Sequence, residues 1–202
     1  MAAITTITGL QNLTNLDYLR LDGGNNGCET IDVSGLTLLT YLDVTDMDIP
    51  DTSDPSLKYL NVEGCTSLIS LYIDDSDFSE GFPDLSSAVA LEYFDADQCN
   101  ISGSLDLSNL PSLKGFDLSG NTGLTSVTLS SSQPLGDGRS VELGSCALTE
   151  TAVDNILVAL AANAVDNGYV NLTGGTNAIP GATGLTAKTT LEGKGWTVGV
   201  ND

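Results

Sequence analysis

The sequence predicts an α/β fold, a solenoid of stacked repeats with a parallel concave sheet, short convex strands and a helix-strand cap at the C-terminal end. Three observations predict it. Apolar residues recur with one spacing between residues 10 and 143, and this pattern gives way to helical spacing after Cys146. The composition, with 22 glycines but only four Phe and one Trp, is typical of many short elements joined by turns.

The repeat is an apolar residue followed by others three, six, nine and eleven positions later. A sixth copy starts at Leu129, is interrupted by PLGDG at 134–138, and resumes at Val141 and Leu143. Successive copies are 22 to 29 residues apart, the period of solenoid repeats. The two-residue spacing that ends each copy predicts a short strand with two inward side chains, and these strands stack in parallel. Five copies fit the full template: Leu10, Leu13, Leu16, Leu19, Leu21; Val33, Leu36, Leu39, Leu42, Val44; Val62, Cys65, Leu68, Leu71, Ile73; Leu85, Ala88, Leu91, Phe94, Ala96; and Leu107, Leu110, Leu113, Phe116, Leu118.

A second apolar pair lies about eleven residues from each of these strands and predicts the short convex strands. The pairs are Ile31 and Val33, Leu60 and Val62, Leu105 and Leu107, and Val127 and Leu129. Each repeat therefore consists of two thin strands joined by turns, with few helices.

The segments LEYFDADQCNI and LKGFDLSGNTGL resemble the LxxLxLxxN/CxL signature of leucine-rich-repeat proteins, over residues 7 to 148. The resemblance implies the fold and leaves the function open. Cys99, Asn121 and Cys146 occupy the N/C position, whose side chain satisfies backbone groups of the turn in that family. Met47 and Ser76 depart from the pattern, and we expect less regular turns there.

Residues 149–202 are predicted to form an α/β cap continuous with the solenoid of about six repeats at 1–148. Val153, Ile156, Leu157 and Leu160 have helical spacing, and Thr149 precedes them as the expected N-cap. YVNLT at 169–173 predicts one further strand, residues 185–194 a second short helix, and residues 195–200 a last strand. Such a cap would cover the apolar end of the stack.

AVDNILVALAAN and the segment from NLTGGTNAIPG to GKGWTV also resemble the terminal module of repeat proteins encoded by tailed phages and environmental viruses. This resemblance implies a virion-associated protein made in the host cytoplasm. Residues 1–10 show neither a basic nor a continuous apolar segment, so we expect no secretory signal in the sequence as it stands. The alternative is a bacterial cell-surface or secreted leucine-rich-repeat protein used for adhesion.

The net charge of the chain excludes some classes of binding partner. Six basic against 27 acidic side chains give a formal charge of −21, which opposes binding to nucleic acid or to anionic lipid. No 18-residue apolar run is present, so membrane insertion is not expected. The partner classes that remain are a protein or glycan surface, including other virion proteins.

The side chains that flank each inward pair point outward and define the expected binding face. In it, Asp95, Asp117 and Glu142 are predicted to form a column of carboxylates, beside a second pair, Asp74 and Asp97. A cation or a partner bearing Lys and Arg would relieve their repulsion. The alternative is a solvated face that resists aggregation. The candidate binding residues are Tyr18, Tyr41, Asp43, Tyr72, Asp74, Tyr93, Asp95, Asp97, Asp117 and Glu142.

The sequence predicts no catalysis and no cofactor. With no histidine it lacks the usual general base at neutral pH and His-ligated metals. The four cysteines form no CxxC pair and are expected to fill turn and core positions. Calcium is left open: the acidic runs at 46–54 and 74–77 are the best local candidates, although neither matches a DxDxDG loop.

Overall fold

A computed structural model describes residues 7–21, 28–45, 57–163 and 165–202. The chain divides into two compact units, unit 1 at residues 1–101 and unit 2 at residues 102–202. Both contain parallel sheet, and the two α-helices found among the described residues lie in unit 2, so the α/β class is confirmed. The boundary expected at 148/149 falls within unit 2, and it stays a prediction.

Unit 1 contains two parallel sheets and a short 3-10 helix, Leu10–Asn12. The first sheet has the order β1-β3-β5-β6, and Leu19, Leu42, Leu71 and Phe94 occupy equivalent positions in its register. The second sheet pairs β2 with β4. The strands are β1 (Tyr18–Arg20), β2 (Thr30–Asp32), β3 (Tyr41–Asp43), β4 (Tyr59–Asn61), β5 (Ser70–Tyr72) and β6 (Tyr93–Asp95).

Unit 2 has the parallel order β8-β10-β11-β12, in which Phe116, Val141, Val170 and Val198 are aligned. A second pair, β7 with β9, contains an irregularity between Gly103 and Ser104. The elements are β7 (Ser102–Asp106), β8 (Gly115–Asp117), β9 (Gly123–Thr128), β10 (Ser140–Glu142), α1 (Glu150–Ala162), β11 (Tyr169–Asn171), α2 (Ala182–Gly193) and β12 (Thr197–Gly199).

The three-residue spacing of the repeat has a local cause in the backbone. The Leu36 amide donates to the Val33 carbonyl at 3.2 Å, and the Leu39 amide donates to the Leu36 carbonyl at 3.1 Å. Two such turns in succession bring every third side chain to the same side, as in a 3-10 helix. The same pair of bonds recurs in all five full copies of the repeat.

The first copy is less buried than expected. Leu13 is 50% exposed, whereas Leu36 and Cys65, at the same position of later copies, are fully buried. Within the described part of the chain no strand pairs with the outer edge of β1, so nothing there covers Leu13. Leu13 therefore keeps the spacing of the repeat without being buried.

Three buried side chains donate to backbone carbonyls, Asn121 within its own turn and the two cysteines to the preceding copy of the repeat. The Cys99 thiol donates to the Ile73 carbonyl at 3.1 Å, the Cys146 thiol to the Leu118 carbonyl at 3.3 Å, and the Asn121 amide to the Leu118 carbonyl at 2.8 Å. Ser76, at the equivalent position, is buried, and its Oγ has no hydrogen-bond partner among the described residues. Met47 lies outside those residues.

The two helices of unit 2 begin differently, since α1 has a side-chain N-cap and α2 begins after a glycine. The Thr149 hydroxyl accepts from the Ala152 amide at 3.2 Å, which confirms the expected N-cap of α1. The second helix begins at Ala182, earlier than expected, and the Asp154 carboxylate on α1 accepts from the Gly181 amide at its start at 2.8 Å. This bond satisfies the Gly181 amide, which has no acceptor within the helix.

The Trp196 ring is buried in a slot between two glycines. A Cβ on Gly168 would lie 2.5 Å from the ring, and a Cβ on Gly136 would also collide with it. The indole nitrogen donates to the Val165 carbonyl at 3.0 Å. The insertion at 134–138, which interrupts the sixth repeat, therefore forms one wall of this slot.

Candidate functional site

Four tyrosines form a continuous row on one face of the unit 1 sheet, hereafter the tyrosine ladder. The ring centroids of Tyr18 and Tyr41 are 4.5 Å apart and their planes differ by 6°. Tyr41 and Tyr72 are 5.5 Å apart, and Tyr72 and Tyr93 are 5.9 Å apart, with tilted planes. All four were predicted for the face. Their contacts stabilise the sheet as cross-strand aromatic pairs.

Asp43 was also predicted for the binding face, but its carboxylate is engaged within the protein. The residue is only 6% exposed. Its Oδ2 contacts the Arg20 Nε at 3.2 Å and accepts from the Tyr41 hydroxyl at 3.3 Å. Its Oδ1 accepts from the Thr45 amide at 3.3 Å and from the Thr45 hydroxyl at 3.0 Å. Asp43 therefore fixes the hydroxyl of Tyr41, one of the two inner rings of the tyrosine ladder.

This arrangement also affects Tyr41. Burial and the nearby Asp43 carboxylate raise the pKa of Tyr41 to about 12. Its hydroxyl therefore stays protonated near neutral pH and remains a hydrogen-bond donor to Asp43.

Three carboxylates adjoin the tyrosine ladder, hereafter the aspartate cluster. The carboxylate oxygens of Asp74, Asp95 and Asp97 lie within 4.8 Å of one another and are half-buried. Asp95 is paired in register with Tyr72. Asp74 and Asp97 each follow this pair by two residues, and side chains two residues apart point to the same face of a strand. The predicted pairing of Asp74 with Asp97 is therefore present, and Asp95 is added to it.

A cation bound at the aspartate cluster would relieve the repulsion among its three carboxylates. Two unit charges 4.8 Å apart repel by about 0.9 kcal/mol even in water, and more where water is partly excluded. Some of the carboxylate capacity is already used, since Asp97 accepts from the Gln98 side chain at 2.9 Å and Asp95 from the Asp97 amide at 3.4 Å. A calcium ion takes six to eight oxygens, so water would have to supply the rest. The acidic run at 46–54 lies outside the described residues.

Asp117 and Glu142 lie side by side in unit 2, in register on β8 and β10. Burial, opposed by a hydrogen bond with Asn171 and supported by the charge of Asp117, raises the pKa of Glu142. The predicted column also contains Asp95, which lies in unit 1, so the column as a whole stays a prediction.

Two residues that complete these arrangements were not among the predicted site residues. Arg20 forms the ion pair with Asp43, and Asn171 lies beside Glu142 in register. The alternation around the buried Val170 places Asn171 and Tyr169 on the same face of β11, so this signal was present in the sequence.

The cysteines offer little nucleophilic chemistry. All four are buried and none forms a disulfide. Burial raises the pKa of Cys65 and Cys99, and raises the pKa of Cys146 to about 11, so these thiols stay protonated near neutral pH.

Comparison with family models, curated proteins and solved structures finds no match to this chain. Within the described residues, neither helix has the length and apolar content required to cross a membrane.

Proposed function

We propose that this chain is a non-catalytic binding and structural module, a leucine-rich-repeat solenoid that uses the tyrosine ladder and the aspartate cluster as its contact surface. The observation that carries the proposal is the position of Asp74, Asp95 and Asp97 next to four aligned tyrosines. The repeated turns and the aligned Leu42, Leu71 and Phe94 support the solenoid.

The chemistry of this surface favours a protein partner bearing Lys or Arg over a glycan. Sugar rings bind aromatic side chains through the ring faces, but Tyr18 and Tyr41 stack at 6° and cover each other's facing sides. A partner can therefore reach the edges of both rings and the outer face of Tyr18, but not the two faces that are stacked together. The aspartate cluster offers acceptors that pair with guanidinium or ammonium groups.

A non-catalytic role is supported by the residues themselves. The chain has no histidine, and burial keeps the thiols of Cys65, Cys99 and Cys146 protonated near neutral pH. Asp43, which is buried, already makes four contacts to Arg20, Tyr41 and Thr45 within the protein.

The proposed location is a tailed-phage virion, as a decoration, fibre-associated or host-recognition protein. The resemblance of residues 152–198 to terminal modules of viral repeat proteins supports it. The alternative is a bacterial cell-surface or secreted adhesion protein. Cryo-electron microscopy of particles from the native source separates the two, because density for this chain on a capsid or tail is expected only under the first.

The contact surface is tested with a triple variant, Asp74→Asn, Asp95→Asn and Asp97→Asn. Cosedimentation with particles, and separately with cells, of the native source is expected to fall at least about tenfold, because each hydrogen bond to a charged group contributes roughly 1.5–3 kcal/mol. The matched control replaces three exposed unit 2 carboxylates, Asp137, Asp166 and Asp202, with Asn and removes the same charge. Equal binding by both variants would reject this surface as the site.

A further inference from the structure

The cavity beside β4 is distinct from the tyrosine ladder and the aspartate cluster. It has a volume of about 510 Å³, within the range of roughly 300–1,000 Å³ typical of ligand sites. Six successive residues, 58–63, line one side, and residues 80–84 line the other. A sheet face would contribute alternate residues only, so the cavity is lined by the edge of the strand.

The backbone of β4 is paired on one side only. The Tyr59 amide donates to the Glu29 carbonyl at 3.0 Å, and the Asn61 carbonyl accepts from the Val33 amide at 3.0 Å. In a strand, alternate residues direct their amides and carbonyls to the same edge, so the Leu60 amide and carbonyl and the Val62 amide face away from β2. Among the described residues, no backbone group pairs with these three atoms.

These unpaired groups belong to buried residues. Leu60 is 3% exposed and Val62 is 1% exposed. Buried backbone amides are almost always hydrogen-bonded, so a donor left open beside a cavity calls for a partner inside it. A strand edge is completed most fully by another extended chain, which supplies a carbonyl and an amide at the matching spacing.

The charged side chains around the cavity indicate which kind of ligand it favours. Glu63, Glu80 and Asp84 line it, and the Lys58 ammonium is held by Glu29 at 3.2 Å. The cavity is therefore acidic and favours a cationic side chain. A second copy of this chain is disfavoured because each copy carries a formal charge of −21.

We infer that the open edge of β4 is a docking site for an extended peptide segment that carries a Lys or Arg. The segment adds a strand to the β2-β4 sheet through hydrogen bonds with the Leu60 amide and carbonyl and the Val62 amide. Its cationic side chain lies against Glu80 and Asp84. This site uses none of the residues of the tyrosine ladder or the aspartate cluster.

The probe is an acetylated and amidated heptapeptide, Thr-Val-Thr-Lys-Thr-Val-Thr, added to the full chain. In the free protein the Leu60 amide is expected to exchange its hydrogen faster than the Asn61 amide, and peptide binding is expected to slow the Leu60 exchange at least about tenfold. A Leu60 amide that is already protected in the free protein, whether by another segment of the chain or by self-association seen in sedimentation, would overturn the inference.

Two N-methylated versions of the peptide test the strand pairing without altering the protein. One carries methyl groups on the odd amides and the other on the even amides. Since only one edge of the peptide pairs with β4, one version is expected to bind roughly tenfold or more weakly, and the other to bind as the parent does. Equal affinities of the two versions would exclude pairing through the backbone.

The contribution of Glu80 and Asp84 to peptide binding is tested with the double variant Glu80→Gln and Asp84→Asn. We expect it to weaken binding of the Lys peptide at least about threefold and to leave binding of a norleucine peptide unchanged. The control Asp137→Asn and Asp166→Asn removes the same charge elsewhere. If both double variants weaken the Lys peptide equally, the charge effect is not local and the assignment of the cationic group fails. The triple variant of the aspartate cluster is expected to bind the peptide as the wild type does. A negative result at the edge of β4 would therefore leave the proposed function untouched, and the reverse also holds.

Discussion

Replacing Asp43 with Asn removes one charge from the contacts that fix the Tyr41 hydroxyl of the tyrosine ladder. The Asn carbonyl can still accept from Thr45, but the new amide group replaces the oxygen that receives Arg20 and the Tyr41 hydroxyl. The Tyr41 bond contributes roughly 0.5–1.5 kcal/mol. The Arg20 side chain is 53% exposed, so its ion pair contributes at most about 1 kcal/mol. The expected loss in the free energy of unfolding is about 1.5 kcal/mol.

Urea unfolding followed by circular dichroism measures this loss. With a slope of about 2 kcal/mol per molar, the midpoint is expected to fall by roughly 0.7 M. The control Arg20→Gln removes the ion pair with Asp43, keeps the hydrogen bond from Tyr41, and is expected to lower the midpoint by less than half as much.

Phenol titration at 295 nm provides a second measurement. The pKa of Tyr41, about 12 in the wild type, is expected to fall when the Asp43 charge is removed, while burial keeps it above the ordinary value of 10. Wild-type stability together with an unchanged tyrosine titration in Asp43→Asn would refute the structural role of Asp43.

Three further predictions concern other parts of the protein. Because the raised pKa of Glu142 favours its protonated form in the folded state, its contribution to stability is present below the unfolded pKa and is lost as pH rises through the folded pKa. Glu142→Gln is therefore expected to stabilise more at pH 7 than at pH 3.5 in urea unfolding, and a pH-independent effect would contradict this. Ser76→Ala removes a buried hydroxyl without a described partner and is expected to raise stability by up to about 1 kcal/mol; a loss would show that the hydroxyl is bonded. Gly168→Ala places a Cβ against Trp196 and is expected to lower the free energy of unfolding by about 1–3 kcal/mol. The fluorescence emission of this single tryptophan is expected to shift to longer wavelength. Unchanged emission would mean that the slot is wider than described.

The strands and their alignment could be predicted from the sequence because each is encoded locally. The three-residue spacing follows from successive turns, and the buried Leu42, Leu71 and Phe94 each lie at the same point of that pattern. The N-cap at Thr149 is equally local. These features depend on residues a few positions apart, where periodicity and capping preferences apply.

The individual roles of the outward residues could not be predicted in the same way. Asp43 and Asp95 follow a buried strand residue in the same manner, yet Asp43 is saturated by Arg20 and Tyr41 while Asp95 joins the aspartate cluster. The difference depends on neighbouring strands more than 20 residues away in sequence. Alternation predicts which way a side chain points and does not predict which partners meet it there.

The open edge of β4 was not predicted for a related reason. The apolar pair Leu60 and Val62 predicts a strand, but whether a further strand pairs with it depends on the segment at 80–84. That segment contains Phe82 and Pro83, and proline cannot donate to a ladder.

The slot that holds the Trp196 ring is formed by two distant stretches of chain, the loop at 134–138 and the turn at Gly168. We expect natural variants to gain or lose whole repeats only upstream of Pro134. A repeat inserted between Gly138 and Asn167 would separate Gly136 from Trp196 and open one side of the slot. A repeat inserted before Pro134 would leave both sides of the slot in place. We therefore expect the number of repeats to differ among related chains while the last 70 or so residues are kept as one block.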